Sequence, residues 1–86
     1  MARLPDTANF REVFDAVADG VARMSNVGFN ICTPNGKPSE KLTGHDIERV
    51  RETAAKAHKL AVLLSKLYDN SLTDSKAIIE FNHINP

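Results

Sequence analysis

Residues 43–70, TGHDIERVRETAAKAHKLAVLLSKLYDN, decide the fold. Within them Ile47, Val50, Ala54, Ala57, Ala61, Leu64 and Tyr68 recur at alternating spacings of three and four. That spacing places them on one face of an α-helix and suits packing against another helix at a shallow crossing angle. Thr43 and Asp46 fit a T-x-x-D capping box, in which each side chain accepts a hydrogen bond from a backbone N–H of the other residue. The pattern predicts a helix over about residues 44–69.

The middle of this seam is alanine, which lets a neighbouring helix come close. Further on, Leu60, Val62, Leu63, Leu64 and Leu67 cover almost every side, and a helix that is apolar all round is buried all round. A short chain has few neighbours of its own to do this. The expectation is therefore self-association, with Ala54, Ala57, Leu60, Ala61, Leu63, Leu64, Leu67 and Tyr68 as the oligomer interface. The competing arrangement is a C-terminal segment that folds back over the Leu60–Leu67 turns.

Outward from this helix the chain offers two further elements. Phe10, Val13, Phe14, Val17, Val21 and Met24 keep one helical face apolar, and Asn9 with Glu12 resembles a capping box, so a first helix is expected over about 9–26. Arg11–Asp15 and Asp19–Arg23 stand at i,i+4 on its wet side. Gly20 within the pattern costs roughly 1 kcal/mol relative to alanine. It is either a tolerated surface glycine or a point of close helix approach. Gly28 is the expected left-handed C-cap, which leaves a connector over 27–43. At the other end, Ser71 and Asp74 form an S-x-x-D start, so a short third element is expected over about 72–81. The rival there is a strand, KAIIEF paired with GFNIC, since both are rich in strand formers. The whole is an all-α helical hairpin of two long antiparallel helices with a short third helix, one domain spanning residues 1–86.

Composition bounds the function. The chain has 86 residues, one cysteine, three histidines, and 11 basic against 11 acidic side chains. A monomer of this size buries only about 60–65% of its unfolded surface, so it gains from disulfides, metals or oligomerisation. Cys32 alone cannot form an intrachain disulfide. Cys32, His45, His58 and His83 lack the spacing of a zinc site, so no metal or other cofactor is expected. Balanced charge argues against a dedicated nucleic-acid binder. There is no apolar run long enough to span a membrane, and residues 1–10 have no apolar signal-peptide core. With its free cysteine the protein is expected to be cytoplasmic.

No enzyme is expected either. Gly36-Lys37 suggests a phosphate loop, but position 31 is isoleucine and Pro38 follows the lysine, so GxxxxGK[ST] fails. Pro34-Asn35-Gly36 is instead a turn sequence. Nothing in the sequence puts a base beside Cys32, which suits a small buried hydrophobe. The pairs Asp15/Asp19 and Glu48/Glu52 each share a helix face, but are flanked by arginines and lysines at ion-pair spacing. From Lys37 to Lys66, however, there are seven basic and four acidic residues. With the N–H groups at the start of the second helix, this supports an alternative function. Lys37, Lys41, Gly44, His45, Arg49 and Lys56 would bind an anionic ligand, a nucleotide or a nucleic-acid backbone.

In broad plan the chain resembles small phage and mobile-element proteins, and also the helix–proline loop–helix subunits of secretion needles. That plan is shared by many unrelated proteins, so no residue role is carried over from it. The functional expectation is a non-enzymatic interaction module, an adaptor, inhibitor or structural subunit, whose partners are a second copy and another protein.

Overall fold

A computed structural model describes residues 3–84. The described residues form three α-helices, α1 (Phe10–Cys32), α2 (Gly44–Tyr68) and α3 (Asp74–Ile84), with a 3-10 turn at Pro34–Gly36 and no strand. α1 and α2 are an antiparallel hairpin, and α3 folds back across one side of it. The molecule is elongated, 44 × 21 × 18 Å.

Both long helices begin where their caps specify. The Asn9 side chain accepts from the Glu12 N–H at 2.9 Å while Glu12 accepts from the Asn9 N–H. Thr43 and Asp46 form the same reciprocal pair at 3.1 Å each. Arg11–Asp15 and Asp19–Arg23 are ion pairs at 3.7 and 3.6 Å on the exposed side of α1. Exposed i,i+4 pairs of this kind contribute only a few tenths of a kcal/mol each, roughly 0.3–0.5.

α1 runs six residues past its expected end near residue 26, to Cys32. Gly28 keeps helical dihedrals, since Gly36 is the one glycine with positive φ among the described residues. A Cβ built on Gly28 would lie 3.9 Å from Thr53 Cγ2 on α2, and Met24, Gly28, Ile31 and Cys32 are all half-buried. Tertiary packing along the hairpin thus outweighs the helix-breaking tendency of glycine, a cost of about 1 kcal/mol. The helix stops at Thr33, because a residue before proline is pushed out of the α region. The Asn35 and Gly36 φ values, 58° and 76°, make the reversal that the Pro-Asn-Gly sequence predicts. The Ser39 N–H then ties the loop back to the Cys32 carbonyl at 2.8 Å. The connector is therefore 33–43 rather than 27–43, and Phe29–Cys32 is the last turn of α1.

α2 ends as its sequence suggests. Asn70 takes the left-handed conformation, φ 58°. The Ser71 N–H bonds the Lys66 carbonyl at 2.9 Å and the Asn70 N–H bonds that of Leu67 at 3.3 Å, a Schellman-type end. This ending occupies Ser71, whose hydroxyl donates to the same Lys66 carbonyl. The cap of α3 is consequently Thr73, whose hydroxyl accepts from the Lys76 N–H, and α3 covers 74–84 rather than 72–81.

One core holds the pieces together: Ala8, Val13, Val17, Leu60, Leu63, Leu67, Ala77, Ile78 and Phe81. All three helices contribute to it. The N-terminal segment is fastened to α3 by Asn82, whose amide oxygen accepts from the Leu4 N–H at 2.9 Å and whose amide nitrogen donates to the Leu4 carbonyl at 3.1 Å. Gly20 is buried, as close approach requires. Leu60, Leu63 and Leu67 are fully buried within the single chain. The segment that covers them is α3, so these three leucines are not open to a second copy unless the bundle opens.

Candidate interaction surfaces

Burial along α2 shows how the expected interface residues divide. Val50, Ala57 and Leu64 are half-buried along the edge of the hairpin, whereas Ile47, Ala54, Ala61 and Tyr68 are exposed. Leu60, Leu63 and Leu67 are core. Of the expected interface residues, Ala54, Ala57, Ala61, Leu64 and Tyr68 therefore share one flank of α2, and the remaining three face α1 and α3.

That flank continues across to α1. Met24, Ser25, Gly28, Phe29 and Cys32 line an open groove with Val50, Thr53, Ala54 and Ala57. By helical periodicity Phe14, Ala18 and Val21 extend the α1 side, and Ala61, Leu64 and Tyr68 extend the α2 side. None of the positions on this broad face (14, 18, 21, 25, 29, 32 on α1; 47, 50, 54, 57, 61, 64, 68 on α2) is Lys, Arg, Asp or Glu. Phe29, Ile47 and Tyr68 are 59%, 42% and 81% exposed there. The face lies on the side of the hairpin away from α3, which packs against the opposite flank of α2.

A second apolar patch lies where α3 meets α2. His58, Lys59, Val62, Lys66, Ile79, Glu80, His83 and Ile84 line a groove of about 580 Å³. Ile79 and Val62 are 67% and 42% exposed in it. Sequence reasoning assigned no role to this groove. The doubled Ile78-Ile79 borders it, and α3 buries only the first of the two.

The expected anion-binding residues stay at the surface. Lys37, Lys41, Gly44, His45, Arg49 and Lys56 are all exposed and run from the turn to the middle of α2. None lines either groove, and a Cβ on Gly44 would meet open space. The start of α2 already has its anion. Thr43 donates to the Asp46 carboxylate from its hydroxyl at 2.9 Å and from its N–H at 3.1 Å. These bonds, with Arg49 and His45 nearby, hold the Asp46 carboxyl below its ordinary value of 3.8. A carboxylate seated there satisfies N–H groups and opposes a second anion.

Cys32 is half-buried and lines the α1–α2 groove along with Phe29 and Ala54. Among the described residues no group of three or more His, Cys, Asp or Glu has the arrangement to hold a metal ion. Among the described residues no helix is long and apolar enough to cross a membrane. The fold and surfaces together define a small all-α protein with two open apolar faces on either side of α2. No protein-family model, curated protein or solved structure matches the chain.

Proposed function

We propose that the protein is a non-enzymatic interaction module, an adaptor, inhibitor or structural subunit, that self-associates through the α3-free face of its hairpin. The observation that carries this reading is the absence of Lys, Arg, Asp and Glu along that face, from Phe14 to Cys32 on α1 and from Ile47 to Tyr68 on α2. Arg11, one heptad before Ala18, stands at its α1 start. Water-facing helix surfaces are normally charged, and contiguous uncharged apolar surface marks an interaction site.

Area supports the same reading. A folded monomer of 9.5 kDa typically exposes about 5,000 Å², whereas this chain exposes 6028 Å². The surplus, about 1,000 Å², reflects the elongated 44 × 21 × 18 Å shape, which leaves a long flank open, and a standard interface buries roughly 800 Å² on each partner. Two copies stacked about a two-fold axis would cover the same face on both and enclose four long helices, with α3 outside.

Gel filtration with light scattering tests this. The expected mass is twice that of the chain at tens of micromolar, falling on dilution. Ala61→Glu should shift the protein to monomer, because Ala61 is exposed and its replacement leaves the core intact. A clean monomer at that concentration, or an unchanged dimer in Ala61→Glu, refutes the proposal. The thermal stability of the same samples with a nucleotide and an oligonucleotide checks the rival anion reading. Stabilisation that fades with salt would favour it.

A further inference from the structure

We infer that the groove between α2 and α3 docks a short, acidic, amphipathic helix of a partner protein. The groove is on the other flank of α2 from the self-association face, so it stays open whether the protein is monomer or dimer. Its floor and crest are apolar: Ile79 stands 67% exposed on α3 and Val62 42% exposed on α2. A β-branched side chain as exposed as Ile79 contributes little to the fold of its own chain, and it stands beside a cleft large enough to receive side chains from outside.

The rim says what chemistry fits. Lys59 and Lys66 line the α2 wall seven residues apart, about 10.5 Å along the helix axis, and His83 stands at the α3 edge. Against the two lysines the lining has one acid, Glu80. Neither Lys59 nor Lys66 makes an ion pair with another described residue. An apolar strip edged by two cations two turns apart matches a helix with leucine-like side chains at i, i+3 or i+4, and i+7, and carboxylates flanking them. α3 has 11 residues, about 16 Å, so the occupant needs only two to three turns. The described residues include no strand, so the groove offers no sheet edge to an extended peptide. Its only ring side chains are His58 and His83, so it lacks the Phe, Tyr or Trp platform on which single-stranded nucleic acid usually stacks.

The test is fluorescence anisotropy with a labelled designed helix carrying leucines at that spacing and glutamates on the flanks, beside its lysine-flanked counterpart and an oligothymidine. The glutamate peptide should bind, and binding should weaken as salt rises. Ile79→Asp should weaken it about tenfold or more, and Lys59→Glu with Lys66→Glu should do likewise while improving the lysine peptide. Ile79 and Lys59 are exposed and Lys66 is half-buried, and circular dichroism verifies that the variants stay folded. Amide shifts mapped by NMR should centre on Val62, Ile79 and Glu80. No binding of the glutamate peptide, equal binding of both peptides, or preference for oligothymidine overturns the inference. So does an Ile79→Asp variant whose oligomer mass changes, since the groove would then belong to a second copy. Ala61→Glu should leave peptide affinity unchanged, which separates failure of this inference from failure of the self-association proposal.

Discussion

Truncating Ile78 and Ile79 to alanine, one at a time, tests the register in which α3 is docked. The two are neighbours in sequence, yet Ile78 is 2% exposed and Ile79 is 67% exposed. Cutting a buried isoleucine to alanine costs about 2–5 kcal/mol, from the lost transfer energy of the removed carbons and the cavity left behind. α3 is short and lies at the edge of the molecule, where neighbours can relax, so the lower part of that range applies, about 2–3 kcal/mol. At Ile79 no cavity forms, and the change stays within about 0.5 kcal/mol, with the better helix propensity of alanine offsetting part of any loss. For a small domain with a urea slope of about 1.2 kcal/mol per molar, Ile78→Ala lowers the midpoint by about 1.5–2.5 M, and Ile79→Ala moves it by less than about 0.5 M. The assay is urea unfolding followed by far-ultraviolet circular dichroism at one low protein concentration, because self-association would add its own stabilisation. Equal losses at the two positions, or a larger loss at Ile79, would refute this docking of α3. The groove that Ile79 borders would go with it.

Three further outcomes follow from particular backbone positions. Gly28→Ala should raise stability by about 0.5–1 kcal/mol, because the added methyl meets Thr53 at an ordinary contact distance and alanine is the better helix former. A thermal midpoint that falls instead of rising would mean that Gly28 needs the freedom of a cap. Asn70→Ala should lose about 1 kcal/mol in the same thermal assay, since an L-residue with a Cβ strains at φ 58° and asparagine tolerates it best after glycine. Unchanged stability would remove the left-handed end of α2. The Asp46 carboxyl is held below 3.8, so the unfolded chain binds its proton more readily than the folded one. Its stabilisation is therefore fully present above about pH 4 and is lost as pH falls through the lower folded value. The stability difference between the native chain and Asp46→Asn, measured by urea unfolding, should shrink below that pH; a difference that grows on acidification would reverse the sign.

The beginnings of both long helices were legible in sequence because their causes are local. A capping box spans four residues, and Asn9–Glu12 and Thr43–Asp46 contain everything they need. The end of α1 was not legible. Gly28 stays helical because Thr53, twenty-five positions away in the chain, lies opposite it across the hairpin. The start of α3 slipped for a different reason. Ser71 carries a good start signal, but two helix termini compete for it, and it serves the carbonyl of Lys66. Thr73, two residues on, caps α3 in its place. On the surfaces, the alanine seam of α2 stood out by its spacing, and the structure leaves Ala54 and Ala61 exposed and Ala57 half-buried. The α2–α3 groove was invisible, because it exists only once α3 has chosen which isoleucine to bury. The basic residues grouped by sequence proximity are all exposed and line neither groove.

The misassigned leucines have a physical explanation that bears on the proposed interface. Two heptad seams overlap on α2: 47, 50, 54, 57, 61, 64, 68 and 50, 53, 57, 60, 64, 67. They share Val50, Ala57 and Leu64, and differ in whether the other edge is Ile47, Ala54, Ala61 and Tyr68, or Thr53, Leu60 and Leu67. A spacing of three and four fixes the width of an apolar arc but not which of its edges turns inward. At 100° per residue, the choice between them is a rotation of about 50° about the helix axis. Burying Leu60 and Leu67 in place of Ala54 and Ala61 gains about three carbons each, on the order of 2 kcal/mol per site at roughly 0.8 kcal/mol per methylene. The helix therefore turns its leucines toward α1 and α3 and leaves the alanines on the flank. An interface built on that flank is flat and lets helices approach closely, yet it buries few large side chains. It follows that association through it should be reversible on dilution, and that the monomer, with its leucine core already closed, should remain folded when Ala61→Glu abolishes the dimer.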